Sequence, residues 1–153
     1  MNLFQQLCKK HNIDFYDADI DPSFTKDMGK DHWTNYSSSC FDEIRLGFYD
    51  DKDIKNISFF HEFGHCRVPK VWSKYTFDYF AKSYMNRFYD EIYAWRYAIL
   101  FTKKLNIDFK KETIKWARGE LATYFNQCAW ASDNRIKITQ EMENEMYKLA
   151  LLI

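Results

Sequence analysis

His61 and His65 stand four residues apart in a proline-free run, Ile57-Ser58-Phe59-Phe60-His61-Glu62-Phe63-Gly64-His65, that reads as helix. On an α-helix four residues advance a side chain by about 400°, so both imidazoles leave one face and can converge on a single ion. Glu62 lies about 100° round from His61. That places its carboxylate beside the ion rather than on it, where it can take a proton from a water. A chain with this arrangement needs a helix with an inward polar face. It also needs another ligand from elsewhere, because an open zinc site takes three protein ligands.

A long helix is expected over residues 76 to 105, capped by Thr76 and ending near Asn106. At 100° per residue its Phe77, Phe80, Ala81, Tyr84, Phe88, Ile92, Trp95 and Ile99 form one apolar stripe. Glu91 sits within that stripe. A carboxylate there is costly unless it is paired or metal-bound; Arg87, four positions earlier, is one possible partner and an ion is the other. His61 and His65 share their face with Ile54, Ile57 and Val68, so they also point inward. Glu91 follows His65 by 26 positions, which lets the first helix end, the chain reverse through 68 to 75, and the second helix bring the carboxylate alongside. The expected metal ligands are therefore His61, His65 and Glu91, with Glu62 as the catalytic base. The competing reading is a buried helical face whose histidines bond to backbone and whose glutamate is ion-paired.

The rest of the chain reads as mixed. Leu3, Phe4 and Leu7 have helical spacing and His11-Asn12 ends that short helix. Ile13 and Phe15 point to a strand. Residues 17 to 40 carry Asp, Ser, Thr, Gly and one Pro without a sustained period, as in a long surface connection. Within them Asp17-x-Asp19-x-Asp21 resembles a calcium loop, but Pro22 stands where the turn glycine belongs and Met28 where the bidentate glutamate belongs. Ile44, Leu46 and Phe48 alternate with Arg45, Gly47 and Tyr49, the pattern of a half-buried strand. The helix bearing the two histidines is expected from Asp53, as its cap, to Arg67, before Pro69. Two more helices fit 110 to 131 and 138 to 152. The sum is a mostly helical, α+β, single domain over residues 1–153 with a small sheet beside the histidine helix.

Composition narrows the function classes. Lysine plus arginine balance aspartate plus glutamate at 22 each, so no global field recruits nucleic acid or an anionic membrane. Lys103, Lys104, Lys110, Lys111, Lys115 and Arg118 form a local basic cluster, but Glu112 and Glu120 interrupt it, and a solvated helix face is the simpler account. Four widely spaced cysteines without a CxxC pair favour neither a zinc ribbon nor a disulfide scaffold and fit a reducing cytoplasm. No run approaches the roughly 20 apolar residues that span a bilayer, and the first residues lack a signal-peptide pattern.

The HExxH pattern is that of zinc peptidases, and Glu91-Ile92-Tyr93-Ala94-Trp95-Arg96-Tyr97-Ala98 resembles the Glu-x-x-Ala-x-x-aromatic-Ala stretch that follows HExGH in ImmA/IrrE-type metallopeptidases. The resemblance covers about residues 42 to 102. It implies a zincin-like fold and Zn2+ held by His61, His65 and Glu91. It also implies that Glu62 activates the attacking water, that an intracellular protein substrate is cleaved, and that the strand around Ile44 to Phe48 is the edge strand beside the substrate. Trp95 stands where that family often has Asn, its Leu-Leu-Pro ending is missing, and no helix-turn-helix is evident, so its regulatory partner does not carry over. His32, Tyr84 and Tyr93 have the chemistry of an oxyanion donor. The alternative from another class is a regulatory or host-interaction protein that keeps the metal fold and cleaves nothing; the intact Glu62 favours the enzyme.

Overall fold

The computed structural model describes residues 1–40, 42–68 and 79–133. The first of its helices, α1 (Leu3–Lys10), opens on a capping box: the Asn2 side chain accepts from the Gln5 N–H, and the Gln5 side chain accepts from the Asn2 N–H. It closes on Asn12, whose φ of 55° is left-handed, with the Ile13 N–H donating to Cys8 and the Asn12 N–H to Lys9. These are the two bonds of a Schellman ending. The chain then enters strand β1 (Asp14–Asp17).

Two short 3-10 turns, Pro22–Thr25 and Asp31–Trp33, lead to β2 (Ser37–Cys40), followed by β3 (Glu43–Leu46). The sheet order is β1-β3-β2, with β1 parallel and β2 antiparallel to β3. Two expectations change here. The stretch 17 to 40 is not all surface connection, because its last four residues form a strand. The strand around Ile44 is central rather than an edge; the edge is β2. Ser37-Ser38-Ser39 carries no apolar alternation, so only its pairing with β3 reveals it. The acidic run before it serves structure. Asp17 and Asp19 hold Lys55, with Asp17 at 2.6 Å, and the Asp21 side chain caps the first 3-10 turn.

Helix α2 (Lys52–Arg67) is capped by Asp51, whose side chain accepts from the Asp53 and Ile54 N–H groups at 2.7 and 3.0 Å. Asp53, the expected cap, is instead in the first turn, where its charge suits the helix dipole. Helix α3 spans Tyr79–Lys104 and α4 spans Lys111–Asp133. The second Schellman ending closes α3 at Asn106, φ 55°, with Ile107 N–H donating to Thr102 and Asn106 N–H to Lys103. The expected Thr76 cap, the stop at Pro69 and the helix over 138 to 152 lie outside the described residues. Among the described residues no helix is long and apolar enough to cross a membrane.

The core lies between sheet and helices. Ile44 and Leu46 of β3 and Phe59, Phe60 and Phe63 of α2 are essentially buried, with Leu7 and Cys8 of α1 and Ala98 of α3 around them. Each large apolar side chain contributes about 1.5–3 kcal/mol. Phe4 stacks on Phe59 at 3.9 Å and ties α1 to α2. The segment entering β2 is clamped to the end of β3: the Asn35 N–H donates to Phe48 at 2.7 Å and the Phe48 N–H to Trp33 at 2.9 Å. Gly47 permits this, since a Cβ there would lie 2.0 Å from the Tyr36 carbonyl oxygen and 2.2 Å from that of Trp33.

Gly47→Ala is therefore expected to lose about 1–3 kcal/mol, because backbone must move. Gly119→Ala, in α4 with nothing within 4 Å of the added carbon, is expected to gain about 0.5–1 kcal/mol from helix propensity. Urea unfolding of the two variants beside wild type checks both signs.

Candidate metal centre

The site begins where α2 crosses α3. A Cβ on Gly64 would lie 2.6 Å from the Ala94 carbonyl oxygen and 3.1 Å from its Cα, so the two helix backbones touch at this point. Glu91 is three residues before Ala94 and His65 is next to Gly64. The contact thus brings ligands from both helices to one spot. His61 Nε2 lies 3.0 Å from Glu91 Oε2, and His65 Nε2 lies 3.4 Å from Glu91 Oε1. One ligand atom from each of His61, His65 and Glu91 lies within 4.8 Å of the others. Tetrahedral zinc with bonds of 2.0–2.1 Å requires ligand atoms about 3.3 Å apart. The two approaches of Glu91 to the histidines are near that spacing, so the three donors could hold a divalent metal ion.

Glu91 is 8 % exposed. Burial alone would push its carboxyl up, but hydrogen bonds from His61 and His65, with the charge of those rings, outweigh burial and hold it well below the usual carboxylate range. Its neighbours are thus the two histidines of α2, as the inward placement of all three requires. Arg87, the other expected partner, is exposed and lines the mouth of the cleft.

Glu62 is also 8 % exposed, yet it is absent from the ligand cluster. Its Oε2 accepts a hydrogen bond from Ser39 Oγ at 2.7 Å, and its Oε1 is 3.7 Å from His61 Nδ1. The register explains the serine. Ser39 pairs with Ile44 and Ser37 with Leu46, and cross-strand partners share a face, so both serines turn toward α2 beside the buried Ile44 and Leu46. Ser37 Oγ hydrogen-bonds the Tyr49 hydroxyl at 2.8 Å. Burial pushes the Tyr49 phenol above its ordinary value, against the opposing bond from Ser37.

A cleft of about 460 Å³ opens over these groups, with Tyr36 to Cys40 as one wall and Arg87, Asp90 and Glu91 of α3 as the other. Behind it a chamber of about 90 Å³ is lined by Tyr49, Ser58, Trp95, Trp116 and Glu120 as well as by His61 and Glu62. Trp95 Nε1 is buried there without a hydrogen-bond partner among the described residues, and the chamber has room for about three waters. Burial raises the Glu120 carboxyl; His61 opposes this and the Glu91 charge adds to it.

The structure thus brings together His61, Glu62, His65 and Glu91. Of the three expected oxyanion donors, His32 is exposed and packs on Trp33 and Tyr36, Tyr93 is half-buried on α3 outside the cleft lining, and the Tyr84 side chain lies outside the described residues. Sequence reasoning missed Ser39, Tyr36 and Glu120. Ser39 had one signal, a run of three serines just ahead of a half-buried strand; Glu120 had none, since it reaches the site only through the packing of α4.

Compared with family models, curated proteins and solved structures, the chain finds no match.

Gly64→Ala forces α2 and α3 apart at the ligands. It is expected to cost about 1–3 kcal/mol despite the better helix propensity of alanine. It should also weaken Zn2+ binding more than Gly119→Ala does, as read by chelator competition on both purified variants.

Proposed function

We propose that this protein is a zinc-dependent peptidase in which His61, His65 and Glu91 hold the metal and Glu62 is the general base. One observation carries the reading. Glu62 is buried next to three convergent ligand atoms, stays out of the cluster they form, and is oriented by Ser39 on the floor of an open cleft. A carboxylate buried in this way is costly. A site that merely held a metal would have no use for it.

A bound zinc ion supplies Lewis acidity to the attacking water and to the scissile carbonyl. The chain's own residues do the rest. Glu62 takes a proton from the water and hands it to the leaving amine. Ser39 donates to one carboxylate oxygen and leaves the other directed toward His61, which keeps the base in one orientation through both transfers. Strand β2 walls the cleft and stands at the end of the sheet order. Its outer backbone edge suits an extended polypeptide, which would add as a further strand and lay its peptide bonds across the site. A protein or peptide substrate fits this geometry, and the resemblance of the Glu91 to Ala98 stretch to ImmA/IrrE-type metallopeptidases supports the same class.

Purified wild type is expected to carry one zinc per chain by elemental analysis, and His61→Ala, His65→Ala and Glu91→Ala to lose it. Glu62→Gln should retain the metal while its release of peptides from fluorescein-labelled casein falls by about 10²–10⁴-fold. Metal retained with equal turnover in Glu62→Gln removes the base from the mechanism. Metal-loaded wild type that cleaves neither casein nor a mixed peptide library moves the reading to a binding protein that keeps the metal fold.

A further inference from the structure

We infer that Trp95 is the positioning residue for His61, holding the imidazole in its ligating orientation by stacking on it. The inference rests on the metal centre proposed above. The two rings lie 3.9 Å apart between centroids and 4° from parallel, so the indole covers the imidazole face. Trp95 is 2 % exposed and is backed by Trp116 of α4 at 6.1 Å, edge-on. It follows Glu91 by four residues on α3, so one helix face supplies both a ligand and the support for another ligand.

A metal-bound histidine usually owes its ring orientation to a hydrogen bond from its distal nitrogen to a carboxylate or carbonyl. Among the described residues His61 shows no such bond. Its Nε2 points to Glu91 at 3.0 Å, while its Nδ1 lies 3.7 Å from Glu62 Oε1, beyond hydrogen-bond length. With neither ring nitrogen anchored from behind, rotation about the bond to the ring is limited by what lies against its faces, and Trp95 lies flat against one. The same contact has an electronic consequence: an imidazole that donates to a cation becomes partly positive, and the electron-rich face of an indole favours that charge. It also spares Glu62. A strong hydrogen bond from His61 Nδ1 would compete with the water for the carboxylate that has to deprotonate it.

The test compares Trp95→Phe, which keeps an aromatic face, with Trp95→Leu, which keeps apolar bulk alone, in the full chain. Zn2+ affinity is read by chelator competition, the coordination geometry by the visible absorption of the Co2+-loaded protein, and the fold by far-UV circular dichroism without metal. The Leu variant is expected to bind Zn2+ about 10- to 100-fold more weakly with an altered Co2+ spectrum, and the Phe variant to recover most of the loss. In wild type, the His61 ring protons are expected upfield of those of the exposed His32 in the proton spectrum, displaced by the indole ring current. That reading needs no variant. A folded Leu variant with wild-type affinity and Co2+ spectrum overturns the inference, as do equal losses in both variants or His61 ring protons at ordinary positions. Zn2+ uptake by wild type separates these failures from that of the metal centre itself: a wild type that binds no Zn2+ overturns both.

Discussion

The contact of Gly64 with Ala94 is the constraint from which the site follows. Side chains normally hold two helix axes about 8–10 Å apart, and a glycine facing an alanine carbonyl lets the backbones meet. Two rings on α2 and one carboxylate on α3 then fall within the span of a single ion, with Trp95 against the His61 ring from the next turn. The crossing needs support on both sides. Phe59, Phe60 and Phe63 anchor α2 against α1, the sheet and the far end of α3, and Phe63 stacks on Phe101 at 5.7 Å. The aromatic core sets the helices, and the small residues set their distance.

Two carboxylates are equally buried near this crossing, and their different partners give them different chemistry. Glu91 meets two imidazoles, whose hydrogen bonds and charge outweigh its desolvation and hold it well below the usual carboxylate range. Glu62 meets a neutral hydroxyl from Ser39, which orients it without committing it to a cation. A serine on the edge strand thus distinguishes the surroundings of Glu62 from those of Glu91. That strand exists because β3 offers it an antiparallel edge, and the clamp at Gly47 delivers the chain to that edge in register.

Much of this was legible in the residue pattern. The spacing of His61 and His65, the lone acid in the apolar stripe of the long helix, and the asparagines that end two helices each follow from local geometry, and each appears where it was expected. Strand β2 was not legible, because three serines have no hydrophobic period and low strand propensity, and their pairing depends on β3 partners further down the chain, Leu46 for Ser37, Arg45 for Ser38 and Ile44 for Ser39. The exchange of edge and centre between β2 and β3 has the same origin. Alternation marks a strand as half-buried and says nothing of its neighbours.

The amino-acid order by itself determined which side chains share a helix face, since a 3.6-residue period converts spacing directly into direction. It therefore determined that two imidazoles and a carboxylate would all point inward, and that Glu62 would stand aside from the face that the imidazoles share. The tertiary structure decided everything that depends on distances between elements: the 3.0 and 3.4 Å approaches of Glu91 to the histidines, the bond from Ser39 to Glu62, and the Trp95 ring against His61. Those separations arise from close packing among residues far apart in the chain, and no local period encodes how near two elements come.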